Sequence, residues 1–151
     1  MTHPGDNLDQ LVAETVALAA SRDPKLSHVS FVIPEESPVV TLKVSDHVFA
    51  YTHGDVYGKG GNGPSDKKAY EWYKNQAAGK QKAGDADVLV GAHFHHAIYK
   101  EYGHLTFMQT PQLDSGSPQF SNYSGQVNQA GMLTWVTTPQ RSVTDWHIIR
   151  P

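Results

Sequence analysis

Val88-Leu89-Val90-Gly91-Ala92-His93-Phe94-His95-His96 is the stretch on which the reading of this chain turns. Apolar and small residues run straight into three histidines. An apolar run closed by a glycine predicts a strand buried on both faces, the kind found inside a covered sheet. Histidines at the C-terminal end of such a strand lie where open α/β sheets keep their ligand sites. On an extended backbone His93 and His95, two apart, would point to the same side. A neutral imidazole is the commonest protein ligand of a metal. A second histidine follows another strand-like run, in Tyr51-Thr52-His53-Gly54-Asp55. His53, His93 and His95 are therefore expected to form one metal-binding cluster. Zinc, manganese, iron or nickel would accept such imidazoles, with at most one ion per chain. Asp55, His96 and Asp114 are accessory candidates. Asp114 also suits turn capping beside Ser115 and Gly116, and Asp85 and Asp87 flank the strand.

Working outward, residues 8–20 place Leu8, Leu11, Val12, Thr15, Val16 and Ala19 at helical spacing, with Asp6 or Asn7 as cap. Residues 28–33 are rich in β-formers and are expected to be a strand. Residues 39–44 and 48–52 read as a strand pair joined at Ser45-Asp46-His47, with His47 an exposed turn residue. Five glycines make residues 54–64 a loop. Ser65 or Asp66 caps a second helix to about Ala78, with Ala69, Trp72 and Tyr73 on its core face. After the buried strand, residues 97–102 and 105–109 form a hairpin, and residues 132–138 and 143–149 a final antiparallel pair. A polar loop fills residues 110–129. The expected fold is α/β (α+β), with a mixed, mainly antiparallel sheet, few helices and a single domain over 1–151.

Composition narrows the function. The chain has 151 residues, a formal net charge of −3, nine histidines and no cysteine. Disulfides, thiolate chemistry and cysteine-ligated zinc are excluded. No apolar run reaches the roughly twenty residues of a membrane helix, and no signal-peptide pattern opens the chain; a cytoplasmic location is expected. The balance of charge gives no global field for nucleic acid, although a local basic patch remains open.

The order of strand, His53-Gly54, helix, then Gly91-Ala92-His93-Phe94-His95 resembles calcineurin-like metallophosphoesterases. That family carries a His-Gly motif and, after it, Gly-His-x-His at a strand end; here one extra residue, Ala92, follows the glycine. The loop Gln109-Thr110-Pro111-Gln112-Leu113 also resembles the family's closing half, and the likeness is greatest to versions from actinobacteria and their phages. For a phage protein the location would be the host cytoplasm. The resemblance implies the C-terminal half of a four-layer sandwich, with His53 and His93 on one metal and His95 on the other. It also implies phosphoester substrates, nucleic-acid phosphodiesters among them. The family's Asp-x-His and Gly-Asn-His motifs are missing. Gly5-Asp6-Asn7-Leu8-Asp9 matches its Gly-Asp-x-x-Asp, but with no strand before it reads as a helix start. Two-metal hydrolysis holds its ions about 3.5–4 Å apart, and three neutral histidines supply no bridging carboxylate for that. Activity would then require an N-terminal-half polypeptide. The alternatives are an inactive remnant that binds a phage or host protein, and self-association through uncovered sheet edges.

Overall fold

Strand β3 (Val88–Gly91) is buried at all four positions. Its neighbours explain why a run of valine and leucine suits it. In the five-stranded sheet the order is β1 (Val39–Val44), β2 (His47–Thr52), β3, β5 (Leu105–Gln109) and β4 (Ile98–Tyr102). Both β2 and β5 run parallel to β3, and β4 returns antiparallel to β5. A strand flanked on both sides and covered on both faces has no solvent side to present, so its sequence does not alternate. A separate antiparallel pair follows, β6 (Met132–Thr138) and β7 (Arg141–Ile149). The computed structural model describes residues 8–34, 37–57, 66–114, 116, 121–123, 125, 127 and 129–151. The fold is the expected mixed α/β one, with few helices.

Two compact units divide the chain, Met1–Val40 and Thr41–Pro151. In the second, each face of the sheet has its own cover. Phe49, Val88, Val90 and Met108 form a cluster on one face, and Leu133, Trp135 and Val143 of β6 and β7 pack against it. Phe49 stacks on Trp135 at 6.1 Å. Ala50, Leu89 and Phe107 lie side by side in register and alternate to the other face. Helix α2 (Asp66–Ala78) buries Ala69 and Tyr73. The Tyr73 hydroxyl donates to the Ala86 carbonyl at 3.1 Å, tying the helix to the approach of β3.

In the first unit, α1 (Leu8–Ser21) ends before a 3-10 turn, Pro24–Leu26, whose Asp23 cap accepts from the Lys25 amide at 2.9 Å. Leu8, Leu11, Val12 and Val16, the predicted apolar stripe, are 77%, 58%, 61% and 52% exposed. The strand expected over 28–33 does not form; those residues are turn and irregular chain, with Val29, Phe31 and Val32 exposed. β-propensity reflects fit to a paired, half-covered surface, and this segment pairs with no strand. The predicted caps at Asp6, Asn7 and Ser65, and most of the glycine loop, lie outside the described residues.

His47 is also placed differently from expectation. It begins β2 instead of sitting in the turn, and its side chain is only 19% exposed. Nε2 meets the Thr138 carbonyl at 3.1 Å, and Nδ1 lies 3.9 Å from Asp87 Oδ2. That same carboxylate oxygen accepts from the Val48 amide at 2.8 Å. The ring thus pins the end of β6 to the starts of β2 and β3. His47→Ala should lower stability by about 1 kcal/mol, or about 2–4 °C in a thermal melt. His47→Gln, which keeps a donor, should recover part of the loss.

Candidate functional site

Parallel pairing of Thr52 with Gly91 sets the ends of β2 and β3 side by side. The Ala92 amide then donates to the His53 carbonyl at 3.1 Å, joining the two outgoing loops. This brings His53 Nε2 to 2.9 Å from His93 Nδ1, with the rings edge to face at 4.8 Å. One ring donates to the other, so one of the two facing nitrogens carries the proton and the other accepts it.

The backbone that presents these rings is bent, not extended as expected. His93 and His95 have φ of 68° and 62°, both left-handed, with Phe94 between them. The Phe94 amide reaches back to the Ala92 carbonyl at 2.8 Å. Left-handed backbone at non-glycine residues costs on the order of 1–3 kcal/mol each. The bend has a visible consequence: His93 turns toward His53, while Phe94 stacks on Tyr57 at 6.4 Å. Strand alternation therefore does not govern where these two histidines point.

His95 is exposed and makes no hydrogen bond to His53 or His93 among the described residues, although its charge is felt at His93. Asp55 opens a 3-10 turn, Asp55–Tyr57, just after Gly54, and its charge also reaches His93. His96 Nδ1 meets the Phe94 carbonyl at 2.8 Å, so this ring serves its own loop. Asp114 is exposed and its Oδ1 accepts from the Gly116 amide at 3.0 Å, the turn-capping arrangement. Among the described residues, no group of three or more ligand-type side chains is arranged to hold a metal. The chain brings together one histidine pair, with His95 and Asp55 close enough to act on it electrostatically. The 2.9 Å contact is a hydrogen bond, so the proton between the rings stands where a shared ion would have to displace it.

Burial lowers the pKa of His93, the His53 charge lowers it further, Asp55 opposes this, and His95 adds a smaller depression. A histidine with a lowered folded pKa holds fewer protons folded than unfolded. Its contribution to stability is present above the unfolded pKa of about 6.5 and is lost as pH falls through the lowered folded value. His93→Gln should flatten the pH dependence of stability between about pH 6.5 and the acid side, as read by urea titrations at several pH values.

Two residues that frame the histidine loop, Gln109 and Tyr57, are not among the expected site residues. Gln109 closes β5 beside Gly91, is fully buried, and donates from Nε2 to the His96 carbonyl at 2.8 Å. Its signal was a polar residue ending an apolar strand. Tyr57, in the glycine-rich loop, is 7% exposed and packs edge to face on Phe107 at 6.1 Å. Nothing local in the sequence marks it.

No protein-family model matches the chain, and no curated protein matches it. Among solved structures it is similar to a novel archaeal phosphodiesterase, at 11% identity and a TM-score of 0.51, over 95% of this chain and 64% of that one. It is also similar to zinc-complexed Vps29 from Entamoeba histolytica, at 16% identity and a TM-score of 0.46, over 70% of this chain and 52% of that one. A third is a predicted phosphoesterase from Streptococcus pneumoniae, at 11% identity and a TM-score of 0.42, over 96% and 92%. The chain thus spans 52% and 64% of the first two structures. At such identities the likeness is one of fold. No helix among the described residues is long and apolar enough to cross a membrane. The fold of this chain is similar to the calcineurin-like phosphoesterase fold.

Proposed function

We propose that this chain carries the histidine side of a metal-dependent phosphoesterase site. It hydrolyses phosphoesters, nucleic-acid phosphodiesters included, only when another polypeptide supplies the acidic ligands. The observation that carries this reading is the convergence of His53 Nε2 and His93 Nδ1, 2.9 Å apart, at the C-terminal ends of adjacent parallel strands. Ligand sites of open α/β sheets lie at that end. His53 and His93 would hold one zinc, manganese, iron or nickel ion, with His95 and Asp55, whose charges reach His93, as further donors. Such an ion supplies Lewis acidity and an acidified water when bound. Neutral imidazoles leave its charge uncompensated, and among the described residues Asp55 is the acid whose charge registers at His93. That is the physical reason to place the missing carboxylates on a second chain, in a cytoplasmic complex.

The assay is hydrolysis of bis-p-nitrophenyl phosphate with manganese, by the chain alone and mixed with a polypeptide bearing the Asp-x-His and Gly-Asn-His motifs. Turnover in the mixture, lost in His93→Ala, is expected, with little or none from the chain alone. Robust turnover by the isolated chain would overturn the need for a second polypeptide. A second reading, that of a protein-binding module without catalysis, draws on α1. Five large apolar side chains on that helix, Leu8, Leu11, Val12, Val16 and Leu18, are more than half exposed, and exposed apolar surface of this kind commonly serves association. A partner that binds through α1, with no turnover in any mixture, would favour it.

A further inference from the structure

Thr52, Gly91 and Gln109 form one row across the ends of β2, β3 and β5. In parallel pairing, residues in register point to the same face. Gly91 leaves a gap in that row, and Tyr57 fills it from above. A Cβ at Gly91 would lie 1.8 Å from the Tyr57 hydroxyl. Thr52, Tyr57 and Gln109 are 9%, 7% and 0% exposed, so this row of polar side chains is sealed from solvent. Two of its atoms, Tyr57 Oη and Gln109 Oε1, have no hydrogen-bond partner among the described residues. Native proteins rarely leave such atoms unpaired, because each then bears its full desolvation penalty. Gln109 cannot relieve its oxygen by flipping the amide, because Nε2 is committed to the His96 carbonyl at 2.8 Å.

We propose that a single bound water lies beside the Tyr57 hydroxyl in this row and bridges Tyr57 Oη to Gln109 Oε1. The Tyr57 hydroxyl stands over Gly91, whose register partner is Gln109, so the two unpartnered atoms belong to neighbouring positions of one row; a water making two hydrogen bonds of about 2.8 Å can join such neighbours. The water donates to Gln109 Oε1 and accepts from the Tyr57 hydroxyl. Both surfaces are polar, as a buried water requires. The bridge extends to the loop above. Gln109 Nε2 holds the His96 carbonyl, and His96 Nδ1 holds the Phe94 carbonyl. Phe94 lies on the Tyr57 ring. The left-handed turns at His93 and His95 sit within this frame. Tyr57 and Gln109 are thus positioning residues for His93. The inference stands apart from the metal reading, because it concerns the loop whether or not an ion binds.

The sign of one substitution tests it on the full chain. Removing an unpartnered buried hydroxyl would stabilise the fold or leave it unchanged. Removing one that holds a water should lower the melting temperature, by roughly 2–6 °C. Tyr57→Phe is expected to lower it, to speed amide exchange over residues 93–96 at least about tenfold, and to shift the His93 imidazole resonances. Gln109→Met, close in volume, should give the same exchange pattern, and adding Tyr57→Phe to it should have little further effect. A long-lived water should also give cross-relaxation to the Tyr57 hydroxyl or the Gln109 side-chain amide. A Tyr57→Phe protein that melts at or above the wild-type temperature, with unshifted His93 resonances, would overturn the proposal. So would fully additive losses in the double variant.

Discussion

Gly84→Ala is expected to cost about 3 kcal/mol or more, at the upper end of what inserting a methyl into a filled space costs. A Cβ at Gly84 would stand 2.3 Å from Ala77 Cα, 2.4 Å from Ala77 N and 2.7 Å from the carbonyl carbon of Gln76. All three are backbone atoms near the end of α2, so no side chain can swing aside to make room. Either the helix end or the 3-10 turn Lys82–Asp85 must move. That turn leads directly to Ala86, whose carbonyl accepts from Tyr73, and to β3. Displacing it therefore disturbs the helix and the central strand together. Chemical denaturation should show a lower midpoint with the slope retained, and a melting temperature lower by roughly 6–12 °C. A change within about 0.5 kcal/mol, the usual range for surface substitutions, would mean the helix and turn do not approach this closely.

Phe107→Ala should cost about 3–5 kcal/mol. Phe107 is fully buried, sits between Leu89 in register and the α2 side of the sheet, and meets Tyr57 edge to face at 6.1 Å. Truncation removes the aromatic transfer energy and leaves a cavity that an interior strand paired on both sides cannot collapse to fill. It also removes a wall of the Tyr57 ring, on which Phe94 stacks. The loss of stability should therefore be accompanied by faster amide exchange at residues 92–96, whereas the His47 substitution should leave that loop alone. Equal exchange in the two variants would contradict the link from Phe107 through Tyr57 to the histidine loop.

The sheet was legible in the sequence where patterns are local. The uninterrupted apolar run at 88–91 marked the central strand, and glycine-punctuated runs marked β2, β4 and β5. Helix α2 followed from the spacing of Ala69, Trp72 and Tyr73. The candidate site was legible in part, for a related reason. His53 and His93 follow strand ends, and parallel pairing puts strand ends together. What stayed hidden depends on contacts distant in sequence. Residues 28–33 have strand composition but pair with no strand among the described residues. His47 looks like a turn residue until Thr138, 91 positions away, supplies its acceptor. The left-handed turns at His93 and His95 carry no glycine to announce them. Gln109 acquires its role only because β5 pairs beside β3 and its amide meets His96.

The His53 and His93 rings are proposed as the core of a divalent-metal site. The direct measurement is metal content by plasma mass spectrometry, after loading with manganese or zinc and dialysis, on the wild-type chain and on His93→Ala, His93→Ala with His95→Ala, and His96→Ala. Wild type and His96→Ala should retain about one ion per chain, as a two-imidazole core implies. His93→Ala should retain at least tenfold less, and the double variant essentially none. Equal, near-zero content in all four proteins would contradict the claim.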